Sequence, residues 1–117
     1  VTDILIDTGE FRALGGRPGG GDWPVFLESG GQVALRQRAL ASSAPLGTTF
    51  DDDGKNGHIL DPATGMPAAA QWRSVSVSAP SAAVADALAT AACLMPDRAT
   101  VETLVDRFAG ARLEYAG

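Results

Sequence analysis

Asp86 and Thr90 are the pair in this chain best placed to do chemistry. They stand four positions apart in a run, Ser81 to Met95, that reads as a helix. The second therefore falls one turn after the first and about 40° round the axis, so both oxygens can point at one spot. Between Ser81 and Pro96 there is no Lys, Arg or Glu. A surface helix normally shows a charged side, so this one is expected to be buried on both faces. A buried carboxylate is costly unless it is paired, hydrogen-bonded or bound to a metal. Two readings of Asp86 stand on these residues. Either it bonds nearby backbone N–H groups or a basic side chain, or Asp86 and Thr90 are two ligands of a hard, oxygen-loving cation such as Mg2+. In the second case waters, a backbone carbonyl or a bound phosphate complete the shell.

The single histidine, His58, opens the stretch HILDPATG at 58–65. Asp61-Pro62 and Thr64-Gly65 make that stretch a turn, and a turn needs no histidine. An imidazole there acts as acid or base near neutral pH, hydrogen-bonds a phosphate, or has no role beyond the turn. Two other stretches are weaker. Gly15-Gly16-Arg17-Pro18-Gly19-Gly20-Gly21 is either a flexible connector or a backbone surface that a ligand approaches closely; it is not a Walker pattern. Asp51-Asp52-Asp53 lacks the alternating ligands of a calcium loop and reads as a solvated turn.

The elements that must hold these residues follow from apolar patterning. Ile4-Leu5-Ile6 reads as a buried strand ended by Asp7-Thr8-Gly9. Trp23 to Leu27 reads as a second strand, with Ser29-Gly30-Gly31 as a hairpin turn. Val33 to Ala41 reads as a third strand, followed by a loop from Ser42 to Gly57. Trp72 to Ala79 alternates, with Val75, Val77 and Ala79 on one face and Ser74, Ser76 and Ser78 on the other. The serine face either meets solvent or leaves room for another layer or a ligand. Ser81 caps the central helix and Pro96 stops it. Val84, Leu88, Ala91 and Met95 share one helix face; Ala82, Asp86, Ala89, Thr90 and Cys93 share the opposite one. A second helix covers Ala99 to Phe108, with Val101, Leu104, Val105 and Phe108 apolar, and Ala111 to Tyr115 closes the chain as a strand. The expected fold is α+β: a mostly antiparallel sheet packed against a buried central helix, in layers.

The 117 residues suit one domain, and 45% apolar with 20% charged residues is globular composition. The net charge is −5, with scattered basic residues and no basic stripe, which argues against nucleic acid and against an anionic membrane surface. One cysteine, Cys93, excludes an internal disulfide. The chain starts at Val1 and enters an apolar run almost at once, so it reads as a piece of something longer.

Three segments, in order, resemble one family. HILDPATG at 58–65 is similar to its hallmark turn. SVSVSAPSAAVADALATA at 74–91 is similar to its strand-then-helix unit. IDTGEFRALGG at 6–16, followed by Trp23 to Leu27, is similar to its glycine-acidic segment and next strand. The family is that of the ApbE-type flavin transferases, FAD:protein FMN transferases, and the resemblance covers the C-terminal half of a typical member. It implies binding of FAD and Mg2+ and transfer of FMN to a threonine hydroxyl of an acceptor protein, or hydrolysis of FAD to FMN and AMP. It implies Asp86 and Thr90 as the side-chain metal ligands, His58 beside the flavin phosphates, and Gly9 and Glu10 in the FAD pocket. It also implies an exported, periplasmic protein anchored by lipid, with the rest of the site supplied by an N-terminal half or a second chain. The sequence departs from the family where Thr8 replaces a glycine and where Ser42-Ser43-Ala44-Pro45-Leu46 replaces a Thr-Ser-Gly step and an aromatic residue. The alternative is a catalytically degenerate module that holds flavin or a partner without turnover.

Overall fold

Short apolar runs interrupted by glycine and proline make short strands. The computed structural model describes residues 2–117. In chain order these form β1 (Ile4–Asp7), β2 (Phe11–Leu14), β3 (Trp23–Phe26), β4 (Gln32–Leu35), β5 (Ala39–Ser43), β6 (Val75–Ala79), α1 (Ala82–Ala92), α2 (Arg98–Asp106) and β7 (Arg112–Ala116). One five-stranded sheet runs β1-β2-β5-β6-β7, antiparallel at every pairing, and β3 and β4 form a separate hairpin. This is the α+β layered architecture that the patterning predicts.

The alternation of VSVSA is the key to the layers. Val75, Val77 and Ala79 pack with Ala39 and Ala41 of β5 against Ala85, Leu88, Ala89 and Ala92 of α1. Small alanines on both sides let the helix approach the sheet closely, and removing this apolar surface from water is the main stabilising term. Val101 and Val105 of α2 extend the same core. On the opposite face, Leu40 of β5 and Ala13 of β2 pack under Val25, Val33 and Leu35 of the hairpin. β5 therefore lies between two layers.

The serine face of β6 is buried as well. Ser76 and Ser78 are 2% and 0% exposed, which rules out the solvent-facing reading for these two serines. Each is satisfied: Ser76 Oγ lies 2.7 Å from Ser42 Oγ, and Ser78 Oγ accepts from Arg38 Nη2 at 3.0 Å while donating to Glu114 Oε1 at 2.6 Å. A buried hydroxyl without partners would be destabilising, so these serines form a polar seam in an otherwise apolar sheet.

Five expectations need correction. The Ile4-Leu5-Ile6 run is an exposed edge strand, with Ile4 39% and Ile6 40% exposed, because nothing packs outside β1. The strand expected over Val33–Ala41 is two strands in different sheets. Gln37 adopts φ +49 at the corner between them, and its side chain takes the Gly15 N–H at 2.7 Å. β2 was not anticipated; Arg12 interrupts its apolar pattern, yet it pairs with both β1 and β5. Phe108 lies beyond the end of α2 and is 43% exposed.

The fifth correction matters most: α1 is buried on one face only. Ser81 caps it, accepting the Val84 N–H, and Pro96 follows a tightened last turn in which Cys93, Leu94 and Met95 each donate three residues back. Yet Ala83, Asp86, Ala87 and Thr90 are exposed. The sheet covers one side of a helix, and the alanine-rich opposite side carries no charge except Asp86 without being buried for it.

Candidate functional site

Exposure places Asp86 and Thr90 together on the outer stripe of α1, one turn apart, as the four-residue spacing requires. The Asp86 carboxylate has no hydrogen-bonding partner among the described residues, so the expected backbone or basic partner is not found there. Thr90 Oγ1 lies 3.1 Å from Ser43 Oγ, at the end of β5. The chain leaving Ser43 passes through Ala44 and Pro45 to Thr48. There the His58 N–H donates to the Thr48 carbonyl at 2.9 Å, and His58 Nδ1 lies 3.2 Å from the same oxygen. One short segment, 43–48, thus ties the helix stripe to the histidine. Gly57 makes this possible: a Cβ there would come within 1.7 Å of the Pro45 carbonyl oxygen, so any side chain would push the two loops apart.

A carbonyl oxygen only accepts, so in this contact Nδ1 is the donor and Nε2 is not engaged by it. The ring is exposed. Below it, HILDPATG is held as a turn by the Asp61 carbonyl accepting from Thr64 and Gly65, by Asp61 Oδ1 accepting from Ala63 at 2.8 Å, and by Asp61 N–H donating to Met66. Gly65 takes φ +71, and Ile59 anchors the stretch in the core at 6% exposure. Asp61, Thr64 and Gly65 serve backbone shape, and His58 stands outside that network.

On the other side of Ser43 lies a cavity of about 460 Å³ between the hairpin and the sheet, bordered by Gly9, Phe11, Phe26, Ser42, Ser43, Arg73 and Ser76. Its volume falls in the roughly 300–1,000 Å³ typical of small-molecule sites. Its floor is the Ser42–Ser76 pair, with Phe11 and Phe26 as apolar walls. Gly9, at φ +106, is in the β1–β2 turn and lines it. Glu10 is half-buried and does not line it; its carbonyl accepts from the Thr8 N–H at 3.1 Å. Cys93, behind Ser43, is 1% exposed, and burial pushes its thiol up to about 11, which disfavours a thiolate nucleophile near neutral pH.

The structure therefore joins Thr90, Ser43 and the cavity, and reaches His58 through Thr48. The residue that sequence reasoning missed is Ser43. Its signal was its place in Ser42-Ser43-Ala44-Pro45-Leu46, which stands where the resembling family has a Thr-Ser-Gly step, and nothing in one dimension pairs it with Thr90.

The family model described as the ApbE family matches residues 1–112. This chain belongs to the ApbE family. It is 38% identical over 87 residues to the FAD:protein FMN transferase of Chlamydia pneumoniae, covering 70% of this chain and 28% of that protein. It is 33% identical over 92 residues to the FAD:protein FMN transferase of Haemophilus influenzae, covering 70% and 27%. Among solved structures, the ApbE protein of Thermotoga maritima superposes with a TM-score of 0.80 at 32% identity, over 94% of this chain and 38% of that one. The apo flavinyl transferase ApbE of Pseudomonas stutzeri gives 0.68 at 30% identity, over 88% and 34%. The chain spans just over a quarter of the length of these curated relatives.

For an ApbE-family chain the donor set on α1 can be tested for Mg2+. This ion takes six oxygens, usually one or two carboxylates with waters and substrate phosphates. Asp86 offers an unengaged carboxylate and Thr90 a hydroxyl one turn away, so the chemistry fits. Among the described residues no three His, Cys, Asp or Glu side chains gather as a metal cluster. Water and phosphate would fill the other positions.

Proposed function

We propose that this chain forms the phosphate-facing part of an FAD:protein FMN transferase, with Mg2+ held by Asp86 and Thr90. The observation that carries the reading is the placement of Thr90 against Ser43, which itself borders the cavity. A cation at α1 and a flavin nucleotide in the cavity would then be neighbours. The names of the curated relatives support the flavin chemistry, and the oxygen donors support the metal.

The reaction follows from that arrangement. The Oγ of an acceptor threonine attacks the phosphorus of the FMN half of FAD. A P–O bond to that phosphorus forms, the P–O bond of the pyrophosphate breaks, and AMP leaves. Little covalent help is needed from the protein, so positioning and charge stabilisation carry the catalysis. Bound Mg2+ would supply stabilisation of charge on the phosphate oxygens. His58, with Nδ1 committed to Thr48, presents Nε2 to take the hydroxyl proton. Water in place of the threonine gives FMN and AMP by the same step. Glu10 acts on the β1–β2 turn that carries Gly9, and Gly9 lets a ligand approach the backbone closely.

The exposed outer stripe of α1, together with relatives more than twice as long, supports completion of the pocket by further polypeptide, in the same chain or a second one. Export to the periplasm rests on the family resemblance alone; detection of the protein in a cytosolic fraction would contradict it. The central experiment is titration of FAD fluorescence with and without Mg2+. The expected result is tighter FAD binding with the metal in the native protein and no metal effect in Asp86→Ala. A metal effect that survives Asp86→Ala removes the assignment.

A further inference from the structure

Thr103 in α2 shows what a helical threonine ordinarily does: its Oγ1 donates to the Ala99 carbonyl four residues back, at 2.9 Å. Thr90 does not. Its Oγ1 is 3.1 Å from Ser43 Oγ, across from α1 to β5. Ser43 is fixed in turn: it pairs in register with Val75, and its carbonyl accepts from the Cys93 thiol.

We propose that Ser43 is a positioning residue that orients the Thr90 hydroxyl toward the cation. The proposal rests on the reading that Asp86 and Thr90 hold Mg2+. A hydroxyl that gives a lone pair to a cation must turn its O–H elsewhere, and Ser43 Oγ is the acceptor within reach. With Ser43 accepting from Thr90, its own O–H is free to donate into the cavity that Ser43 borders. The pair thus couples the metal ligand to whatever polar group occupies the cavity. Partners that orient a metal ligand typically contribute about tenfold or more to affinity.

The test compares Ser43→Ala and Ser43→Thr with the native protein in FAD fluorescence titrations over a Mg2+ series, and in Mn2+ binding followed by electron paramagnetic resonance. Ser43→Ala is expected to raise the half-saturating Mg2+ and Mn2+ concentrations about tenfold, and the Mn2+ shift is expected in the absence of FAD as well. Ser43→Thr, which keeps the hydroxyl, is expected to restore the metal response. Asp86→Ala separates the two levels. If it abolishes the metal response while Ser43→Ala leaves the response native, the metal reading stands and the Ser43 proposal is overturned. If the metal response survives Asp86→Ala, the reading fails and the proposal with it. Loss of FAD affinity in Ser43→Ala with Mn2+ binding left native makes Ser43 a ligand contact alone and overturns the positioning role. Should Ser43→Ala not fold, Ser43→Cys, whose sulfur is a weak acceptor, must show the same rise in metal concentration.

Discussion

The two faces of α1 are built from nearly the same small residues and do opposite jobs. The inner face lays Ala85, Leu88, Ala89 and Ala92 on β5 and β6, and all four are buried. The outer face carries Ala83, Asp86, Ala87 and Thr90, all exposed. On the inner face a small side chain allows close packing, so volume is what matters. On the outer face it leaves two oxygens unobstructed, and under the proposed metal reading their donor chemistry is what matters. Damage to one face should therefore appear as lost stability and damage to the other as lost metal response.

The largest expected effect is on the outer face. Asp86→Ala should lower FMN transfer by about a thousandfold, the scale of losing several kcal/mol of charge stabilisation, while the melting temperature stays native. A large fall in melting temperature would put Asp86 in the structural class and break the contrast. Next is His58→Ala, expected to slow the phosphate step by about a hundredfold or more with FAD affinity nearly unchanged. Native single-turnover rates would return His58 to the turn alone.

The inner face gives a smaller, purely structural signal. Leu88→Ala should cost about 2–5 kcal/mol in urea unfolding, since Leu88 is 3% exposed and a cavity would remain. Its half-saturating Mg2+ concentration should stay native in the folded fraction. The smallest effect concerns α2, whose N-cap Asp97 accepts from the Thr100 N–H and hydroxyl, both at 2.8 Å. Those bonds hold its carboxyl below the ordinary 3.8. Because the folded value is the lower one, the stabilisation is present above about pH 4 and fades as pH falls through the folded value. Asp97→Asn should flatten the melting temperature between about pH 4 and pH 2; an unchanged slope there would mean that the cap does not titrate with folding.

The same contrast explains which features could be read from one dimension. The strand VSVSA, the Ser81 cap, the Pro96 stop and the HILDPATG turn are local, and each appears where its residues demand it. The absence of charge on α1 misled, because lack of charge says nothing about which neighbour arrives to cover a face. Val33–Ala41 misled for a related reason: the turn at Gln37 is held by a partner at Gly15, 22 positions away. The four-residue spacing of Asp86 and Thr90 was legible, since helix geometry alone sets it. Their link to Ser43 was not, since it depends on how β5 and α1 pack.

Sequence by itself determined the family, the α+β class, the helix that carries Asp86 and Thr90, and the turn beneath His58. These follow from periodicity, capping and backbone shape, which act over a few residues. Tertiary structure alone decided that Asp86 faces outward, that β4 and β5 part company, and that the segment 43–48 joins Thr90 to His58. Those outcomes depend on burial and on long-range hydrogen bonds, and both come into being only when distant segments pack together.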